Sequence, residues 1–233
     1  MSKYILLFIF SLAQVMSLEA QKLNAQLQKY CETLSQEFDQ IPQERKENLA
    51  KISQYIQAKR RAKKEINLTF ICTHNSRRSQ FGQVWAKVAS VFYGIDHVQT
   101  YSGGTEVTAC NIRTVKALQR AGVQIETMNE VSASAAVANN PRYAVILNSK
   151  VPTFYLFSKT YDDKTNPQKN FCAILVCSQA DEACPVVLGA ETRIYHGYTD
   201  PKHSDNTPQE NETYDQTCRE IAREMFYVFS LIK

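Results

Sequence analysis

The stretch that most constrains this chain is Ile66-Asn-Leu-Thr-Phe-Ile71, which ends in Cys72 and leads through Thr-His-Asn-Ser-Arg-Arg78 into Ser79. β-Branched and aromatic residues with one polar interruption at Asn67 predict a buried strand over Ile66–Ile71. From Ser79 to Tyr93, Phe81, Val84, Trp85, Val88, Val91 and Phe92 recur on one side, which predicts a helix. A loop between such elements aims successive backbone N–H groups and the positive helix end at whatever anion sits above Cys72. That field favours a thiolate, Arg78 adds a planar fork matching two oxygens of a tetrahedral anion, and Ser79 or Ser76 can donate to the sulfur. The plainer alternative is a buried structural cysteine before a basic helix start.

The 233 residues allow one α/β domain with a sizeable core plus an extension. The net charge is +4, with a basic cluster at Lys59, Arg60, Arg61, Lys63 and Lys64. Without interleaved aromatics this cluster reads as a solvated helix end, so no nucleic-acid partner is expected. Residues 1–20 read as an export signal: Lys3, a largely apolar Tyr4 to Met16, then Leu18-Glu19-Ala20. The apolar run is too short to span a bilayer, so membrane contact is expected only during export, to a periplasmic or secreted location. A buried amphipathic first helix, in a cytoplasmic protein, is the alternative. Seven cysteines cannot all pair internally, which sits uneasily with an oxidising compartment.

Residues 21–65 predict a two-helix extension broken at Ile41-Pro42, with Leu23, Leu27, Tyr30, Leu34 and Phe38 in helical register, then Leu49, Ile52, Tyr55 and Ile56. A catalytic domain is expected over 66–233. Its further strands are His97–Tyr101, Tyr143–Leu147 and Phe171–Val176, and its helices are Asn111–Arg120, closed by Gly122, and Gln209–Leu231. Gly103-Gly104 reads as a turn, and part of 131–170 as an insertion. Alternating strands and helices predict an α/β fold: a three-layer parallel sheet with helices on both faces, its site beyond the carboxyl ends of strands. Cys72 and Cys177 both fall at such ends.

Cys177 and Cys184 lie seven residues apart after a strand, so they can meet only if the intervening segment loops out or a helix deforms. No metal is expected, because neither Cys-x2-Cys nor His-x3-His spacing accompanies them. Asp200-Pro201 predicts an extended or turn conformation; placed over the cradle, Asp200 can give a proton to a departing oxygen, and otherwise it forms a plain Asx turn.

Cys72-Thr-His-Asn-Ser-Arg-Arg78-Ser79 resembles the phosphate loop of low-molecular-weight protein-tyrosine phosphatases and of the thioredoxin-coupled arsenate reductases that share their fold. Tyr101-Ser-Gly-Gly, Asn111-Ile-Arg-Thr-Val-Lys-Ala-Leu and Gly122-Val-Gln-Ile are similar to the second strand and following helix of that superfamily. Cys177-x6-Cys184-Pro185, with Asp200-Pro201 after it, resembles the reductase branch. The likeness covers about Ile66 to Lys233, interrupted around Val131 to Asn170.

The resemblance implies Cys72 as nucleophile, Arg78 as oxyanion clamp, Ser79 as the hydroxyl supporting the thiolate and Asp200 as general acid. Thr73, His74, Asn75, Ser76 and Arg77 complete the oxyanion loop, with Asn75 shaping it. In the reductase branch Cys177 attacks arsenylated Cys72 and Cys184 then attacks Cys177, with a thioredoxin-like or other thiol reductant as partner and no cofactor. The implied activity is arsenate reduction; the alternative is phosphotyrosine hydrolysis through phospho-Cys72, and a third reading is a non-catalytic phospho-binding module. Three departures stand out: His74 replaces a usual glycine, Arg77 replaces a usual cysteine, and the insertion falls near the mouth of the site.

Overall fold

The computed structural model describes residues 23–128 and 140–232. The expected export signal and the first part of the expected insertion lie outside these residues. Ahead of the first strand come α1 (Ala25–Leu34), a 3-10 turn over Ser35–Gln40, and α2 (Gln43–Arg61). Asn24 caps α1, accepting from Leu27 N at 2.9 Å, and gives its amide to Gly122 O at 2.9 Å. Leu27, Cys31, Leu34, Leu49, Ile52 and Ile56 are fully buried, so these helices share the core rather than float beside it. Tyr30 stacks on Trp85 with ring centroids 5.4 Å apart. At the end of α2, Lys59 departs from the expected solvated face: it is buried, pairs with Glu191 and lies 5.5 Å from the Tyr55 ring centre.

The expected strand and helix around Cys72 are present as β1 (Ile66–Cys72) and α3 (Arg78–Phe92). They are followed by β2 (Val98–Gly104), α4 (Ile112–Arg120), β3 (Gln124–Thr127), β4 (Tyr143–Ile146) and β5 (Phe154–Leu156). The chain closes with β6 (Phe171–Leu175), α5 (Ser178–Ala183), β7 (Ala190–Tyr195) and α6 (Glu210–Ser230). The parallel sheet runs β2-β1-β6-β7, with Cys72 opposite Gly104 and Leu68 opposite Cys172. The chain leaves β1 toward β2 and leaves β6 toward β7, so the carboxyl ends of the two central strands flank a topological switch point, where open α/β sheets place their ligands. Among the described residues no helix is long and apolar enough to cross a membrane.

Two expectations are corrected. Tyr143–Leu147 does not join the parallel sheet: β4 pairs antiparallel with β3 and β5 in a separate three-stranded sheet. Gly103-Gly104 is not a turn but the end of β2, and its glycines serve close packing. A Cβ on Gly103 would stand 2.3 Å from Tyr161 Cα, and one on Gly104 would stand 2.6 Å from Thr73 O and Glu106 O. The neighbouring Ser102 donates to Gln83 of α3 at 2.6 Å, so Gly103, one residue on, faces away from α3.

Beneath the sheet's carboxyl end lies a buried charged group. Glu224 of α6 accepts from Arg45 Nε at 2.5 Å and Nη2 at 2.8 Å, and its Oε2 lies 2.7 Å from His196 Nε2. Burial alone would raise the Glu224 pKa, but Arg45 and His196 overcome it and bring it down to about 2 from 4.5. A depressed carboxylate stabilises the fold fully above its unfolded value and ceases to as pH falls toward the folded one. The chain is therefore expected to lose about 2 kcal/mol from this group between about pH 6 and pH 3. Urea titrations at both pH values check this: Glu224→Gln is expected to lack that part of the acid slope, and an identical slope would refute the assignment.

Candidate active site

Cys72 ends β1 and is 4% exposed. From Cys72 to Arg77 each main-chain carbonyl is held from outside the loop or by the helix it enters. Thr105 N donates to Cys72 O (3.2 Å), Glu106 N to Thr73 O (2.8 Å), Ser158 Oγ to His74 O (2.8 Å) and Gln80 Nε2 to Asn75 O (2.8 Å). Asn111 N donates to Ser76 O (3.0 Å) and Phe81 N to Arg77 O (3.0 Å). A peptide's N–H points opposite to its carbonyl. The amides of Thr73 to Arg78 are thereby turned away from these supports, and none enters a backbone hydrogen bond among the described residues. They form a nest of donors of the kind that receives anions, at the start of α3.

Positive φ falls on Asn75 (φ 46°), not on His74, so the strain expected at the histidine does not arise. Asparagine tolerates that region. Both ends of its side-chain amide are engaged: Oδ1 accepts from Lys159 N at 3.0 Å, and Nδ2 donates to Ser79 Oγ at 2.9 Å. With that acceptor role filled, the Ser79 proton is free for Cys72 Sγ, 3.1 Å away. Ser79 is thus the hydroxyl beside the sulfur. Ser76, the other candidate, donates instead to Ala109 O at 2.7 Å. Sequence reasoning missed Lys159 and Ser158. They come from the expected insertion, which braces the loop from behind, and nothing in their spacing announces it.

Arg78 donates through Nη1 to Tyr198 O at 3.0 Å and through Nη2 to Asp200 Oδ2 at 2.8 Å, while its Nε is buried without a partner. Arg77 Nε donates to Asp200 Oδ1 at 2.7 Å. Cys72, His74, Ser76, Arg77, Arg78 and Asp200 line one small cleft. Asp200 also caps a 3-10 turn at Pro201–Ser204, accepting from Lys202 N at 3.1 Å, so the Asx turn and the place in the cleft coexist.

One expectation about Asp200 changes. Burial would raise its pKa, but the Arg77 hydrogen bond and the two guanidinium charges outweigh that and hold it below the ordinary carboxylate value of 3.8. With the cradle in this arrangement Asp200 is an ionised partner of two arginines, not a proton-bearing acid.

Cys177 and Cys184 cap the two ends of α5. Cys177 is buried, its Sγ 3.4 Å from Thr73 Oγ1, which puts a second thiol beside the loop. Six residues of helix stand between the two, seven steps of ~1.5 Å or ~10 Å, past the ~7 Å Cα limit for a disulfide, so the pair can join only if α5 unwinds. Arg193 holds the far end of α5, donating to Cys184 O at 2.9 Å and Asp181 O at 2.8 Å. Burial raises the Cys184 pKa despite Arg193. The four cysteines without a role in the sequence reading, Cys31, Cys110, Cys172 and Cys218, are buried, and burial raises each pKa.

A parallel α/β sheet whose first strand delivers a cysteine into a ring of amides, with an arginine and a serine behind it, defines a cysteine-based oxyanion-binding protein. No family model matches the chain. It is 26% identical over 151 residues to an arsenate reductase of Bacillus subtilis (strain 168), covering 65% of this chain and 85% of that protein. It is likewise 26% identical over 141 residues to an arsenate reductase of Halalkalibacterium halodurans, covering 60% and 78%. Among solved structures, a YwlE mutant from Bacillus subtilis aligns at 13% identity and TM-score 0.47, covering 71% of this chain and 97% of that one. An arsenate reductase in the phosphate-binding state aligns at 14% and 0.44, covering 72% and 99%. In sequence the chain is thus similar to arsenate reductases over roughly two thirds of its length.

Proposed function

We propose that the chain reduces arsenate by a thiol relay through Cys72, Cys177 and Cys184. The observation that carries this reading is the Cys177 thiol at the rim of the loop, 3.4 Å from the hydroxyl of the residue after Cys72. The Cys72 thiolate attacks arsenic and displaces one oxygen, which leaves as water with a proton from Asp200. The loop amides and Arg78 stabilise the charge of this displacement. Cys177, as thiolate, then attacks the Cys72 sulfur. An S–S bond forms, the S–As bond breaks, and its electron pair goes to arsenic, which departs as arsenite. Cys184 attacks Cys177 in turn, moving the disulfide and freeing Cys72; a thioredoxin-like or other dithiol then restores the pair. The Cys184 attack on Cys177 requires α5 to open.

The alternative is phosphotyrosine hydrolysis, in which water attacks phospho-Cys72. What favours it is the intact α5 that holds Cys184 away from Cys177. The two readings part on the cysteine variants. Cys177→Ser and Cys184→Ser are each expected to lower multiple-turnover arsenate reduction by more than about a hundredfold, while p-nitrophenyl phosphate hydrolysis stays within about twofold of wild type. Dithiol-driven reduction that survives both substitutions would reject the relay.

A further inference from the structure

The group around Glu224 reaches the cleft. Arg45 of α2 donates from Nη1 to Gly197 O at 3.1 Å, and its guanidinium carbon lies 5.0 Å from the Tyr198 ring centre. His196 packs edge-on to that ring at 5.2 Å, and Asn48, one turn along α2, donates to Tyr195 O and lies 3.1 Å from His196 Nδ1. Main-chain bonds from His196 N to Leu175 O (2.8 Å) and from Tyr198 N to Val176 O (3.1 Å) extend β7 along β6 as far as the approach to Cys177. The next carbonyl contact is the one that matters: Tyr198 O receives Arg78 Nη1, and Asp200 follows two residues later.

We infer that Arg45, from the helices ahead of the sheet, is a positioning residue for the oxyanion site: it fixes the 196–198 segment whose Tyr198 carbonyl orients the Arg78 fork. This rests on the reading of the Cys72 loop as an anion cradle. The guanidinium of Arg45 is suited to the task because its fork grips both Glu224 oxygens while a third donor remains for Gly197 O. Lysine keeps the charge against Glu224 but cannot hold both partners in one plane. Arg45→Lys therefore separates positioning from folding.

The test uses the full chain and inorganic phosphate as probe, comparing wild type, Arg45→Lys, Arg78→Lys and the double variant by calorimetry, with melting temperatures alongside. Arg45→Lys is expected to melt within a few degrees of wild type and to bind phosphate about tenfold more weakly, since small displacements of a donor are costly. In the Arg78→Lys background that extra loss is expected to vanish, because neighbours acting through one group are not additive. Wild-type affinity in Arg45→Lys, or the same tenfold loss in both backgrounds, overturns the inference and leaves the cradle standing. A wild-type chain that binds no phosphate overturns the cradle and the inference together. Should Arg45→Lys not fold, Asn48→Ala is measured in its place; it loosens the same segment through Tyr195 O and leaves the Arg45–Glu224 pair intact, with the same outcomes decisive.

Discussion

Cys72→Ser is expected to lower both arsenate reduction and p-nitrophenyl phosphate hydrolysis by at least about four orders of magnitude, with an unchanged melting temperature. The hydroxyl that replaces the thiol is slightly smaller and can still hydrogen-bond Ser79, so the fold loses little. What disappears is the sulfur nucleophile, and the alcohol oxygen that replaces it is a far weaker one. The loop's carbonyls remain tied to Thr105, Glu106, Ser158, Gln80 and Asn111, so phosphate binding is expected to survive the substitution. Steady-state kinetics and calorimetry on the one variant thus separate binding from chemistry. Hydrolysis equal to wild type would reject Cys72 as the nucleophile.

Asp200→Asn is expected to move turnover and affinity in opposite directions. Turnover falls by about 10² to 10⁴ because the departing oxygen loses its proton source. Inorganic phosphate is expected to bind about tenfold more tightly, which is about 1.4 kcal/mol. The reason is that the Asp200 carboxylate occupies Arg77 Nε and Arg78 Nη2, and an anion entering the cradle competes with it for Arg78. The sign follows from its depressed pKa: above 3.8 the ligand-free group is ionised, so at neutral pH it is a competitor first and takes up a proton only once displaced. A variant that loses turnover and binds phosphate no better would show that the carboxylate does not compete.

The strand, loop and helix around Cys72 were legible in the sequence because an apolar run and a 3.6-residue period adjoin there, and both signals are local. β7 was not, because Ala-Glu-Thr-Arg-Ile-Tyr is an edge strand in which only Ile194 is buried. β3 escapes because Gln-Ile-Glu-Thr buries only Ile125, β5 because it is three residues long, and β4 is legible as a strand but not in its partners, since pairing across long separations leaves no local trace. Gly103-Gly104 suggested a turn because glycine punctuates chains; the closeness of Tyr161 and Thr73 that demands it is a matter of packing. At the site, residue types were readable but electrical states were not. The resemblance implies Asp200 over the loop, whereas its charge depends on where Arg77 points. Arg45 carried no signal at all, its partners lying more than 150 residues away.

Asn75 ties this loop to the segment that follows β5. Its amide can serve Ser79 only while Lys159 N fixes which way round it sits. Exchange of residues 140–170 for another segment would leave the cradle's sequence untouched and yet let that amide rotate, presenting oxygen where nitrogen belongs. Grafting the loop alone onto another scaffold would therefore transplant its letters without its polarity.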